Sequence, residues 1–307
     1  MNVTEFILLG LTQNPQMQKT LFLVLLSTYI VTVTGSLLIV VTVLCSQNLH
    51  SSMYFFLAFL SLIDAYACYS SSIIPKILAD LFLESKAISS NGCMLQLFLE
   101  HFLGGSEIVL LVVMAYDRYV AICRPLYYMT LMSHHMCCLL VGLCWAAGFL
   151  HSLGQILVIL WLPFCDANSL DNFMCDIFPL IQLACTDTFL LSLLVAANGG
   201  VTSMISFVML LVSYVVILCS LRSHSSVGRK KALSTCGSHI TVVVLFFVPC
   251  IFMYLCPVAT FPRDKAVTVF YTLVTPMLNP VICTARNADV KNAIRMLLNR
   301  KAISDNK

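Results

Sequence analysis

Two carboxylates, Asp64 and Glu107, stand in the middle of long apolar runs. Charge at that depth in a bilayer is costly, so intramembrane ionisable residues are functional candidates. Two such groups at similar depth can share a cation such as sodium, or one can hold a proton. The plainer reading is that each hydrogen-bonds to neighbouring helices and fixes their packing. Asp117-Arg118-Tyr119 closes the run that contains Glu107. Adjacent Asp and Arg can lock as an ion pair, and a released Arg118 presents a planar fork of donors to a partner. Taken alone, the triplet also reads as a charged border where the chain leaves the membrane. Gly104, Glu107, Leu111, Met114 and Arg118 recur at steps of three and four, so they share one helix face, with His101, Gly105 and Ile108 flanking it. The glycines permit either close helix packing or room for a ligand. A lone His101 is more often a satisfied polar residue than a ligand contact.

The chain also has 15 cysteines. Most lie in apolar runs, where Cys acts as a small hydrophobe. Cys93, Cys165, Cys175 and Cys185 fall between runs instead. Four cysteines facing an oxidising compartment suggest two disulfides, in any of three pairings. A metal site is the competing reading, but no close CxxC or HxxxH pair supports it. Nor does any Ser/His/Asp or His-rich grouping have catalytic spacing; His134-His135 sits on a connection.

The elements that must hold these residues follow from composition. Of 307 residues, 60% are hydrophobic and 10% charged, against about 25% charged in a soluble domain. Mean hydropathy is +0.94. This excludes a soluble enzyme, a disordered chain and a small disulfide-stapled domain. A net charge of +3 without a basic stripe excludes nucleic-acid binding. A membrane-crossing helix needs about 20 mostly apolar residues. Seven stretches qualify, at roughly 21–45, 54–78, 94–119, 137–161, 189–219, 236–256 and 266–285. Spans one, four, five and six contain no Asp, Glu, Lys or Arg. The first twenty residues lack the small-residue cleavage site of a signal peptide, so span one is expected to be an uncleaved anchor. If the N-terminus lies outside, twelve Lys and Arg fall inside and five outside, as the positive-inside rule requires. The outer loop 162–188 then carries Asp166, Asp171, Asp176 and Asp187 without a Lys or Arg, and the Asn2-Val3-Thr4 sequon becomes usable. The expected fold is an all-α seven-transmembrane helix bundle, one domain over 1–307. It has an outer tail 1–20, an inner tail 286–307 and a short amphipathic helix after the last span.

Several motifs resemble one family. Met114-Ala115-Tyr116-Asp117-Arg118-Tyr119-Val120-Ala121-Ile122-Cys123, followed by Pro125-Leu126 and Tyr128, is similar to the signature of vertebrate olfactory receptors, a branch of the rhodopsin-like G-protein-coupled receptors. Met53-Tyr54-Phe55-Phe56-Leu57, Ser213-Tyr214, the run Lys231 to His239 (KALSTCGSH) and Pro276-Met277-Leu278-Asn279-Pro280 match the same family in order. His101 to Glu107 (HFLGGSE) is similar to one large subfamily of its tetrapod-expanded receptors.

The resemblance implies an odorant receptor in the plasma membrane, in the cilia of olfactory neurons. A small volatile ligand would bind among helices three, five, six and seven beneath the long outer loop. Helix six would then swing, and a stimulatory olfactory-type G protein would raise cyclic AMP. Asp117, Arg118, Tyr119, Tyr214, His239, Asn279 and Pro280 would carry coupling, and Asp64 and Glu107 an allosteric sodium ion. No other cofactor or metal is expected. Cys93 would pair with Cys175 and Cys165 with Cys185; Asn2 would carry a glycan. Membrane lipid and trafficking chaperones complete the expected partners. Helix position puts His101, Gly105, Ile108, Asn198, Thr202, Phe247, Cys250, Ile251, Tyr254 and Thr272 on the pocket wall. That wall holds no Lys or Arg, so neutral alcohols, ketones or esters suit it better than carboxylic acids. Four residues depart from the family pattern: Ser36 for Asn, Ser52 for Pro, Phe247 for Tyr and Cys283 for Tyr. They point to weaker signalling or expression. The alternatives are a non-olfactory receptor of the same fold, and a transporter or channel. The latter would show repeated halves, which are absent.

Overall fold

Asn14 fixes where the first helix begins. Its side chain accepts from the Gln16 N–H at 3.0 Å. Pro15 follows at a position where its missing N–H leaves nothing unpaired. Span one therefore runs Pro15–Cys45 rather than from 21. The computed structural model describes residues 4–12, 14–46, 49, 51–69, 74–82, 86–164, 168–221, 226–255 and 267–304. The later spans are Ser52–Tyr69, Ser90–Cys123, His134–Leu160, Phe189–Leu221 and Ser226–Leu255. Ser89 and Ser133 cap spans three and four, accepting from the N–H groups of Gly92 and Met136. Span seven is helical from Val267, passes through a π turn, Phe270–Val274, and continues as Thr275–Arg286 with Pro280 inside it.

Five of these helices are long and apolar enough to cross a membrane. The stretches Ser52–Tyr66 and Val267–Ile282 are shorter apolar helices, completing a bundle of seven. Two expected boundaries move. The second span is described as far as Tyr69, and Lys76 lies in the helix Ile74–Asp80, where it bonds Asp80 at 2.5 Å. An i,i+4 ion pair suits a short helix outside the apolar layer. Span six begins at Ser226, not 236, because its basic inner turns are helical although not apolar.

Polarity is inverted relative to a soluble protein. Leu23, Val24, Ile30, Leu194, Ile205 and Val212 are exposed, whereas Asp64, Glu107, Asp117 and Asn279 are buried. That pattern suits a hydrocarbon surround. Span three lies at the centre, its Leu103, Leu110, Leu111 and Met114 sharing a core with Phe56 and Leu60 of span two, Leu210 and Tyr214 of span five, and Phe246 of span six. It meets span four through small residues. Gly148 lies so close that an added Cβ would stand 2.1 Å from Ser106 Oγ and 2.5 Å from the Phe102 carbonyl. Ser152 Oγ donates across the seam to Phe98 O at 2.7 Å. Close approach of small residues is how membrane helices gain packing without a hydrophobic drive.

The end carrying the N-tail is closed by a sheet that the sequence reading missed. Strand β1 (Glu5–Leu8) pairs antiparallel with β2 (Ala87–Ser89) and parallel with β3 (Ser169–Leu170). Phe6 and Leu8 point inward against Leu97, Ile156 and Ile177. A disulfide joins Cys93, at the head of span three, to Cys175 of the long loop, with Cα atoms 5.5 Å apart. At the opposite end the last helix, Ala288–Ser304, lays Val290, Ala293 and Ile294 on Ile39, Val43 and Tyr54. Asp289 in its first turn accepts from Tyr54 OH at 3.1 Å and complements the helix dipole.

Candidate functional site

Span three links three polar regions along its length. At the end nearer the disulfide, a cavity of about 160 Å³ is lined by Glu100, His101, Gly104, Gly105, Ile108 and Val109 of span three. Ala147 and His151 come from span four, and Gly199, Thr202, Ser203 and Ser206 from span five; Cys250 and Tyr271 close it from spans six and seven. A dry cavity near this size can hold a benzene-sized molecule. Most of the wall is apolar or small, with a few convergent polar groups, as ligand pockets are. His101 Nδ1 donates to Leu97 O at 3.1 Å, so its Nε2 remains an acceptor in the neutral ring. Ser203 Oγ lies 3.3 Å from Cys250 Sγ. Ala147 and Thr202 are exposed as well as lining, so the cavity opens sideways between spans four and five.

Below it, Asn279 Nδ2 donates to both oxygens of Asp64, at 3.1 and 3.2 Å, and to Glu107 Oε1 at 3.4 Å. Asn279 Oδ1 and Ser36 Oγ are buried without partners. Two carboxylates with unsatisfied amide and hydroxyl oxygens offer a hard cation an all-oxygen set. Asp64, Glu107 and Asn279, which the amide brings together, are the residues that would hold a shared sodium ion. Gly35 permits this approach of spans one and seven; a Cβ there would meet Pro280 Cβ at 3.2 Å.

At the inner end Asp117 collects three partners. Arg118 pairs with its Oδ2. Ser52 Oγ donates to Oδ1 at 2.6 Å, and Tyr128 OH to the same oxygen at 3.1 Å. Burial first, and Asp117 after it, push the Tyr128 hydroxyl above its ordinary pKa, so it stays a donor. Tyr214 OH meets His239 Nδ1, tying spans five and six. A small inner pocket, about 40 Å³, is lined by Met53, Leu57, Met114, Arg118, Ser238, His239 and Asn287. Tyr119 is half-buried against the core.

A family model described as olfactory receptor matches residues 25–301. Human olfactory receptor 4A47 is 56% identical over 303 residues, 99% of this chain and 97% of its own length. Mouse olfactory receptor 4B13 is 54% identical over 300 residues, 98% of each chain. The chain belongs to the olfactory receptor family. It is an odorant receptor, from a family of receptors rather than of enzymes, and a multi-pass membrane protein.

The receptor's cavity differs in detail from the wall expected from helix position. His101, Gly105, Ile108, Thr202 and Cys250 do line it. Asn198 does not: it sits on the exposed face of span five, one residue and about 100° from the buried Gly199. Phe247 is fully buried in the core, its ring 5.7 Å from Phe207 and 5.2 Å from Phe246. Ile251 packs on that same core. Thr272 turns its hydroxyl onto Thr268 O at 2.7 Å, and its neighbour Tyr271 faces the cavity instead. The side chains of Tyr254 and Cys283 lie outside the described residues, as do Asn2 and Cys165; Cys185 is disulfide-bonded. Gly105 serves packing, with Gly148 Cα 3.2 Å from a built Cβ, while Gly104 faces Tyr271 OH. Span four was absent from the expected pocket. The small residues Ala147, Gly148 and Ser152 were its available signal, since they allow the close approach that brings His151 to the wall. Of the departures, Ser52 gains a role: it bonds the acid beside Arg118.

Proposed function

We propose that the receptor takes a small volatile ligand in the outer cavity and uses its binding free energy to open the inner pocket to a stimulatory olfactory-type G protein, raising cyclic AMP. The observation carrying this reading is that one rigid helix, Ser90–Cys123, lines both the outer cavity and the pocket around Arg118. A ligand shifts the equilibrium only by its differential affinity for the two states. Closed, the inner end is held by Asp117 on Arg118 and by the Tyr214–His239 contact. Opening frees the Arg118 fork for the partner, with Tyr119 beside it. Asn279 and Pro280 form the joint on span seven that senses Asp64 and Glu107. Asp64 and Glu107 would hold a sodium ion, whose charge would favour the closed state.

The same reading places the receptor in the plasma membrane of olfactory sensory cilia, with trafficking chaperones, a glycan on Asn2 and a Cys165–Cys185 bridge. A wall whose described residues include no Lys or Arg gives a carboxylate ligand no counter-ion there. The test is a volatile panel applied to cells that display the receptor, reading cyclic AMP against ion flux. Ligand-dependent cyclic AMP that disappears in Arg118→Ala, at equal surface density, is expected. Ion flux without cyclic AMP would refute the proposal.

A further inference from the structure

The outer cavity holds a carboxylate that none of these roles uses. Glu100 lies on span three, seven residues or about 10 Å inward of Cys93. Its side chain lines the cavity, and its Oε2 is buried without a hydrogen-bond partner. Asp176 follows Cys175, which the disulfide ties to the head of the same helix. Among the described residues, no Lys or Arg stands on the cavity wall. The ion pairs of the described residues, Lys76–Asp80 and Arg118–Asp117, engage neither acid. A buried acidic oxygen without a donor is unfavourable, and a ligand that brings both N–H groups and positive charge offsets it.

We propose that the receptor recognises small organic amines, Glu100 holding the ammonium head while the hydrocarbon lies along Ile108, Val109 and Tyr271. This rests on the reading that the cavity is the ligand site, and it adds a class that the wall expected from the sequence left out. The free Nε2 of His101 is a second acceptor for the ammonium protons. The apolar wall deeper in the cavity then selects the size of the alkyl or aryl group.

The experiment uses full-length receptor in cells, surface-stained, with cyclic AMP as readout. The probes are 3-methylbutylamine, cyclohexylamine and 2-phenylethylamine, each against its matching alcohol, together with a broad panel of neutral volatiles. At least one amine is expected to act at about tenfold lower concentration than its alcohol. Glu100→Gln is expected to remove that advantage, while Glu100→Asp keeps part of it. Amines no better than their alcohols, or an amine response unchanged in Glu100→Gln, would overturn the assignment. The wild-type comparison decides alone if Glu100→Gln fails to reach the surface. Neutral volatiles active with amines silent would sink only the amine assignment; a displayed receptor silent to every volatile would sink the reading beneath it too.

Discussion

Asp117 shows how a single hydroxyl can bear on signalling. Its Oδ1 accepts from Ser52 and Tyr128, whose own oxygens lie 2.5 Å apart, while its Oδ2 holds Arg118. Hydrogen bonds to a charged group are worth about 1.5–3 kcal/mol, and 1.4 kcal/mol is about tenfold in an equilibrium. Ser52→Ala should therefore raise ligand-free cyclic AMP several-fold at equal surface density, and Tyr128→Phe should do the same. Unchanged basal signal in both variants would show that these bonds do not hold the closed state. The pH dependence follows from the same pair. Burial raises the Tyr128 pKa, so the bond's contribution is complete below the ordinary tyrosine pKa of about 10 and is lost only as pH rises past the raised value. Basal nucleotide exchange in isolated membranes should be flat from about pH 6 to 9 in wild type. A drop in restraint across that window would argue against this role. Ser52 looked like a defect in the sequence because its partners come from a distant helix and a loop. Arg118 and Asn279 were legible because local motifs carry them, whereas the Cys93–Cys175 pairing came only from the family resemblance, the two cysteines lying 82 residues apart. Glu100 was visible as a charge in a span, but its free oxygen depends on what surrounds it.

Among the elements, the seam between spans three and four is the sharpest packing constraint. A methyl at Gly148 has no route to relax, since two of the atoms it would strike are backbone: the Phe102 carbonyl at 2.5 Å and the Ser106 nitrogen at 2.8 Å. Overpacking typically costs about 1–3 kcal/mol, occasionally more, and here it would separate two helices that share a cavity wall. Gly148→Ala should cut surface display severely. Gly142→Ala, on the same helix with nothing within 4 Å of a built Cβ, should leave it unchanged. Flow cytometry of tagged receptor reads both, and equal loss would mean that helix propensity rather than contact governs span four. All seven spans could be read from apolar length, because hydrocarbon demands it. Their ends could not: Asn14 and Ser133 set starts by capping. The three-stranded cap was illegible because each strand has four residues or fewer and all its pairings are long-range. Its signal was the alternation that buries Phe6 and Leu8 while exposing Glu5 and Ile7.

For the whole molecule, the question is how an event near Glu100 reaches Arg118. Coupling requires an element with two arrangements that both sites bias. The Asp64–Asn279–Glu107 cluster meets that need, because it joins spans two, three and seven midway between the cavity and the inner pocket. Asn279 now occupies both acids with a single amide, leaving its own oxygen and the Ser36 hydroxyl unsatisfied. A sodium ion among these oxygens would satisfy them and pull the three spans together, which disfavours the open state. An ion at ten times its dissociation constant adds RT ln 11, about 1.4 kcal/mol, so agonist potency should fall about tenfold when sodium replaces a bulky organic cation at constant ionic strength. Asp64→Asn should abolish that sensitivity while the receptor still reaches the surface. Ser36→Asn should strengthen the effect, since a longer amide reaches where the serine hydroxyl stops short. Equal potency in sodium and organic-cation buffers for wild type would leave the two carboxylates as packing groups, with the signal passing through the seam of span three alone.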